Sequence, residues 1–539
     1  MSLEMYRNGS IYSPADPFAT AMLVEDGTVA WIGTEAAAGA LLDARMTEID
    51  LQGALITPAF VDSHVHLASL GARLKGLDLG AARSATEVLA AVDVAAANTS
   101  GTILGAGWDE STFASGTLPT SDQLHRAAPD REIYLARVDV HSALISPALA
   151  HRVGLVQGPE YVDGLVRGTA HERVRSAVFA YDPTANTENR NLALQHLAAT
   201  GHGTVVEMAA EHISGRADLE ALLARTDAEK ASSPEVYAYW GQAVGTEEEA
   251  GSLLASFNSP SVVGLGGDLN IDGSIGSRTA LLRADYSDAA GERGTSYLDV
   301  DSISAHVAAC SLAGIQASFH VIGDAGLDLA LEGFGRAAES VGIAKVQAGR
   351  HRLEHVEMAD DAARAQMLAF ALTASMQPGF DAAWGGPGRL YEQRLGGSRA
   401  ASMNGMGQFL AAGVPVVVGS DAPVTSVSPW ASVKACLELS DPQARISARA
   451  AFMAHTRSGF RALGTPNPFA GQLVNGADAT FAIWDAAELS VQTPDLRVSS
   501  WSTDARAGTP MLPVLEDELP NCLRTVRAGH VLFDALGVS

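Results

Sequence analysis

Between residues 58 and 467, short apolar runs alternate with longer Ala-rich stretches, and this alternation constrains the fold more than any other feature of the chain. Short apolar runs bounded by breakers read as buried strands, and the longer stretches between them read as helices. Eight runs qualify: Ala59 to His64, Thr204 to Met208, Val236 to Trp240, Val262 to Ile271, Ile315 to His320, Arg352 to His355, Leu372 to Gln377, and Val414 to Ser420. Eight βα units predict an α/β fold with a parallel (β/α)8 TIM barrel over residues 58–467. The gap between the first and second run is too long for an ordinary connection. It carries strand-like runs of its own at Thr102 to Gly105 and Glu132 to Val138, so residues 68–200 are expected to form an inserted cap over the barrel mouth.

The two chain ends resemble each other. Met22 to Val24 and Val29 to Ile32 flank Asp26-Gly27, a strong hairpin signal, and Thr480 to Trp484, Thr525 to Arg527 and His530 to Phe533 supply short strands near the other end. Chain termini often lie close together, so residues 1–57 and 468–539 are expected to build one small β-sandwich domain around the barrel.

Composition narrows the function. Apolar residues make up 47% and charged residues 18%, which suits a globular chain and excludes disorder. A formal net charge of -26 opposes binding to a phosphate backbone, so no nucleic acid partner is expected. No run of 18 apolar residues and no signal-peptide pattern is present, so no membrane partner is expected either. Cys310, Cys436 and Cys522 are odd in number and widely spaced, which argues against a disulfide framework and for a cytoplasmic setting. The remaining partner class is a small-molecule substrate; the oligomeric state stays open, a homodimer included.

The chemistry is concentrated where strands end. In Asp62-Ser63-His64-Val65-His66, residues two apart on a strand point the same way, so His64 and His66 present both imidazoles to one side. Neutral imidazole is a common zinc ligand, and a catalytic site needs about three protein ligands with one position left open. Three other strands end in metal-competent residues: His320, Glu354-His355 and Asp421. Barrel active sites lie at these strand ends. The structural alternatives are a packed core histidine at 355 and an ordinary helix N-cap at Asp421.

These motifs, with Gly107-Trp108-Asp109, Asp139-Val140-His141-Ser142-Ala143, Asp272-Gly273-Ser274-Ile275-Gly276-Ser277-Arg278, His320-Val321-Ile322-Gly323-Asp324, Ser375-Met376-Gln377-Pro378 and Gly419-Ser420-Asp421-Ala422-Pro423, occur in an order that resembles the amidohydrolase superfamily. The resemblance is to its amidohydrolase-3 branch of YtcJ-like and N-substituted formamide deformylase proteins, and it covers nearly the whole chain. It implies that His64 and His66 hold a divalent metal, that His320 and His355 lie beside it, and that Asp421 binds metal or moves the proton.

The family places a lysine, often carbamylated to bridge two metals, where this chain has Asp268. An aspartate has one methylene in place of a four-carbon stem and cannot fill that site without moving the backbone. None of the lysines, Lys75, Lys230, Lys345 and Lys434, falls in an expected barrel strand. One metal per chain, most simply zinc, is therefore favoured, held by His64, His66, His320 and Asp421, with Glu207 and Asp268 as alternative ligands. His355 would hydrogen-bond the attacking water or the substrate carbonyl. Asp421 would serve as base and then acid, the water being activated by a metal that brings its pKa from 15.7 to about 7.

Trp108, Asp109 and His141 in the insertion, Arg278 after its Gly-Ser loop, and Gln377 after the seventh strand are candidate substrate-binding residues. Arg278 could clamp a carboxylate or form a structural ion pair. The expected activity is hydrolysis of a non-peptide C–N bond, an amide or formamide, of a small molecule. Deaminase or esterase chemistry at the same site is the enzymatic alternative, and a metal-free barrel acting as a binding or scaffold protein is the alternative from another class.

Overall fold

In the computed structural model, which describes residues 2–179, 183–228, 231–490, 510–516 and 518–536, each of the eight apolar runs contributes a strand to one parallel sheet. In chain order these are β1 (Phe60–Val65), β2 (His202–Ala209), β3 (Glu235–Trp240), β4 (Val262–Leu265), β5 (Gln316–Val321), β6 (Arg352–His355), β7 (Thr373–Met376) and β8 (Val416–Val418). Each strand pairs in parallel with the next. The barrel nearly closes through a parallel bridge between Val65 and Ala422. Asp62 reinforces the seam, accepting from Ser420 Oγ (2.5 Å) and Ser420 N (2.9 Å).

Local chemistry explains where the elements start and stop. The helix Val300–Ala313 opens with the Asp299 carboxylate accepting from Ser302 N, and it ends at Gly314, whose φ of 67° few other residues tolerate. Outside the sheet, Phe319, Phe334, Leu353 and Met367 belong to the large apolar layer between strands and helices. Inside the barrel lies a polar layer instead. Arg352 and Glu354, two apart on β6 and fully buried, pair at 2.6 Å, and Arg352 Nη2 also donates to Ser63 O (2.9 Å) and Ser375 Oγ (2.8 Å).

The fourth strand is shorter than its apolar run. It ends at Leu265, where Gly266 (φ 127°) and Gly267 (φ 75°) turn the chain out of the ladder. A Cβ on Gly266 would stand 1.7 Å from Ser318 O, so glycine is required there. This turn carries Asp268 into the barrel mouth.

The chain ends do meet. Leu55–Pro58 pairs antiparallel with Phe481–Asp485 in a five-stranded sheet that continues through Asn521–Arg527 and His530–Asp534. A second, four-stranded sheet comes from residues 3–50, and Tyr6, Val24, Ile56, Phe481 and Val526 share one buried cluster. Residues 491–509 of the 468–539 portion, and Lys230, lie outside the described residues. The segment between β1 and β2 contains a six-stranded sheet that includes Ile103–Trp108 and Ile133–Arg137. Among the described residues no helix is long and apolar enough to cross a membrane.

Candidate metal centre

The barrel brings His64, His66, His320, His355 and Asp421 to one rim, and the Gly266-Gly267 turn adds Asp268 in the middle of them. Asp268 Oδ2 lies 3.1 Å from His66 Nε2, and Oδ1 lies 3.4 Å from His64 Nε2 and 3.9 Å from His320 Nδ1. Asp421 Oδ1 stands 3.2 Å from His66 Nε2 and 3.5 Å from His64 Nε2. The short aspartate therefore does reach the centre, and it does so because the backbone moves. His355 (φ 72°) and Asp421 (φ 50°) both occupy the left-handed region, which is costly for a side-chain-bearing residue and recurs at functional sites.

Each imidazole is oriented by a second partner. His64 Nδ1 donates to Glu354 Oε2 (2.9 Å), His66 Nδ1 to the Met208 carbonyl (2.9 Å), and His355 Nδ1 to Gln377 Oε1 (2.7 Å), leaving the three Nε2 atoms facing the centre. His320 is turned the other way, its Nε2 donating to Gly273 O (3.2 Å) and its Nδ1 facing Asp268. Sequence reasoning missed Glu354 as the group that orients His64. It is held by Arg352 and by Ser318 Oγ (2.6 Å).

Electrostatics show that the cluster is short of positive charge. Burial alone would raise Asp268, but the His66 and His64 imidazoles hold its carboxyl well below the usual range. Burial likewise opposes the shift at His66, yet Asp268 and Asp421 push it up to about 10. His64 Nε2 and Asp268 Oδ1 are buried with no hydrogen-bond partner. Unpaired buried donors and acceptors cost free energy, and a cation between them removes that cost. Two three-donor groups could hold it, His64-Asp268-His355 and His64-His66-Asp421, each with donor atoms within 4.8 Å of one another. Both use His64, and an Nε2 has one lone pair to give. His320 is in neither group.

The other candidates separate by contact. His141, from the segment between β1 and β2, places its ring 4.9 Å from that of His320. Gln377 touches the site through His355. Trp108, by contrast, is buried away from the cluster and donates from Nε1 to Leu135 O (2.8 Å), and Asp109 pairs with Arg137 (2.9 Å). Arg278 is held by Asp288 (Nη2 to Oδ2, 2.6 Å), the structural ion pair of the two readings. Glu207 is buried and accepts from Leu67 N (2.7 Å), which commits one of its oxygens to the backbone beside His66.

Two small cavities open from the cluster. One is lined by aromatic and aliphatic residues, among them Phe380, Trp384, Leu390 and Tyr391; the other is polar, with His171, Arg175 and His212. His141, His320 and Asp421 line both.

Comparison with known proteins identifies the family. Residues 47–533 match the amidohydrolase family. The protein LONG AFTER FAR-RED 3 of Arabidopsis thaliana is 25% identical over 525 residues, covering 89% of this chain and 87% of that protein. The Bacillus subtilis (strain 168) protein YtcJ is 24% identical over 443 residues, 77% of this chain and 80% of that protein. A crystal structure of an uncharacterized metal-dependent hydrolase from Pyrococcus furiosus superposes with a TM-score of 0.67 at 25% identity, covering 89% of this chain and 98% of that one. On the match over most of its length, this chain belongs to the amidohydrolase family.

Proposed function

We propose that this protein hydrolyses a non-peptide C–N bond, an amide or formamide, of a small molecule at a centre holding one divalent metal. The observation that carries the reading is the pair of buried, unpartnered atoms, His64 Nε2 and Asp268 Oδ1, facing each other across a cluster of imidazoles and carboxylates. His64, His66, Asp268 and Asp421 would hold the metal, with His355 Nε2 available to it; nitrogen and carboxylate donors of this mix suit zinc. When bound, such a metal activates water near neutrality and polarises a carbonyl.

The chain's own residues do the rest. Burial opposes it, but the His64, His66 and His355 imidazoles hold the Asp421 carboxyl below its ordinary value. Asp421 is therefore ionised at neutral pH, able to take a proton from the attacking water and return it to the leaving nitrogen. The sequence assigns His355 to donate a hydrogen bond to water or carbonyl, but its one proton is committed to Gln377, and burial and then His64 lower its pKa. We assign it a ligating role instead. The cap, through His141, closes the mouth and keeps bulk water out.

The test pairs metal analysis with a screen of acylated amines and N-formyl compounds. One zinc per chain with release of a carboxylic acid is the expected outcome. Release of ammonia would favour a deaminase, and protein that takes up no metal and is not stabilised by zinc would favour a scaffold. Two metals per chain would overturn the single-ion assignment.

A further inference from the structure

The polar cavity contains a guanidinium that, among the described residues, forms no ion pair with a carboxylate. Arg175 is 7% exposed and lies on the helix Gly168–Phe179 of the insertion, one turn beyond His171. Among the described residues its only hydrogen bond runs from Nη2 to Ser69 Oγ (3.2 Å), and no carboxylate pairs with it. Glu172, three residues before it, lines the same cavity and feels the Arg175 charge, but it forms no ion pair with it and accepts from Asn270 Nδ2 (3.2 Å). The imidazoles around it stay neutral and add no further positive charge. His171 contacts the Tyr134 hydroxyl (2.9 Å), and burial keeps both it and His212 neutral, with His212 lowered to about 4.

A buried arginine is normally paired, because an isolated charge in a low-dielectric site is expensive. Other buried arginines of this protein obey that rule: Arg137 pairs with Asp109, Glu110 and Asp139, Arg352 with Glu354, and Arg394 with Glu110 and Asp288. Arg175 departs from it while lining the cavity that also reaches Asp268 and Asp421. Its planar fork matches a carboxylate in two parallel hydrogen bonds. One guanidinium with no ion-pair partner, in a cavity that already holds the Glu172 carboxylate, suits a single carboxylate better than a dianionic phosphate.

We propose that Arg175 is the counter-ion of a carboxylate on the substrate, so that the scissile group lies over the metal centre with the carboxylate in the polar cavity and an apolar group in the aromatic one. The substrate class is then a carboxylate-bearing amide, an assignment that rests on the hydrolase reading above. The sequence motif pointed to Arg278 for this role, but that residue is already paired with Asp288.

Two probes that differ only in the carboxylate, N-acetylphenylalanine and N-acetylphenethylamine, decide the matter. Calorimetric binding is measured on zinc-loaded and chelator-treated protein, and turnover by acetate release, for wild type, Arg175→Gln, Arg175→Lys and Arg278→Gln. Wild type is expected to favour the acid by roughly thirty-fold or more, the scale of losing one partner from a buried charge pair. Arg175→Gln should erase the preference, Arg175→Lys should keep part of it, and Arg278→Gln should keep all of it. Equal binding of the two probes by wild type, or a preference that survives in Arg175→Gln, overturns the proposal. If Arg175→Gln does not fold, a full preference in Arg175→Lys overturns it and a reduced one supports it. A preference that follows Arg175 in binding while neither probe is cleaved leaves the carboxylate site standing and counts against the hydrolase reading. Cleavage of both probes without preference does the reverse.

Discussion

The histidines at the barrel mouth and those in the barrel wall are equally buried, and what distinguishes them is what the second ring nitrogen faces. In the wall, His351 accepts from Ala317 N at Nδ1 (2.8 Å) and contacts Ser311 Oγ from Nε2 (2.9 Å). His306 accepts from Val244 N and donates to Leu265 O, and His455 uses Ala451 O and Ser432 Oγ. Both nitrogens of each wall ring are in use. At the mouth, each of His64, His66 and His355 uses Nδ1 on a protein acceptor and leaves Nε2 facing carboxylates. Burial alone therefore does not mark a ligand; a ring nitrogen aimed at a cluster of carboxylates does.

The strongest way to break this contrast is to remove a mouth donor. His64→Ala or Asp268→Asn should lower turnover by at least about a thousand-fold, about 4 kcal/mol of activation free energy, with the fold retained by circular dichroism. Near-wild-type turnover in Asp268→Asn would show that the aspartate sits in the centre without taking part. Next in size is the orienting contact: Gln377→Leu frees the His355 Nδ1 and should weaken zinc about tenfold or more in a chelator competition.

The wall makes the opposite prediction. Burial lowers His351 to about 3. Above pH 6.5 neither folded nor unfolded chain is protonated there. Between 6.5 and about 3 the unfolded chain gains a proton that the folded one refuses, so acid costs ~1.4 kcal/mol per pH unit from this group. His351→Gln should flatten that part of the stability curve in urea titrations across pH and leave turnover at pH 7.5 unchanged. The smallest expected effect is Arg278→Gln, whose part-exposed ion pair is worth no more than about 1 kcal/mol by melting.

The fold was legible because eight buried strands impose eight apolar runs, and their ends carried His64, His66, His320, His355 and Asp421 in plain sight. The site was less so where contact rather than residue type decides. Asp268 was ranked behind the other ligands on the length of its side chain, although Gly266-Gly267 immediately before it was the signal that the backbone could bend to compensate. Trp108, Asp109 and Arg278 are as polar or aromatic as pocket residues should be, and only the structure shows their partners elsewhere. Arg175 had the converse problem: nothing along a helix containing His171, Glu172 and Arg173 tells which of the charges is enclosed.

The bend at Gly266 and Gly267 also limits how this centre could change over generations. With the backbone already drawn into the mouth, a lysine introduced at 268 would drive its long arm through ground now held by His66 and Asp421. The lysine that the resemblance implies at this position would thus not fit by a single replacement, and the loop and the acid are bound to change as one unit.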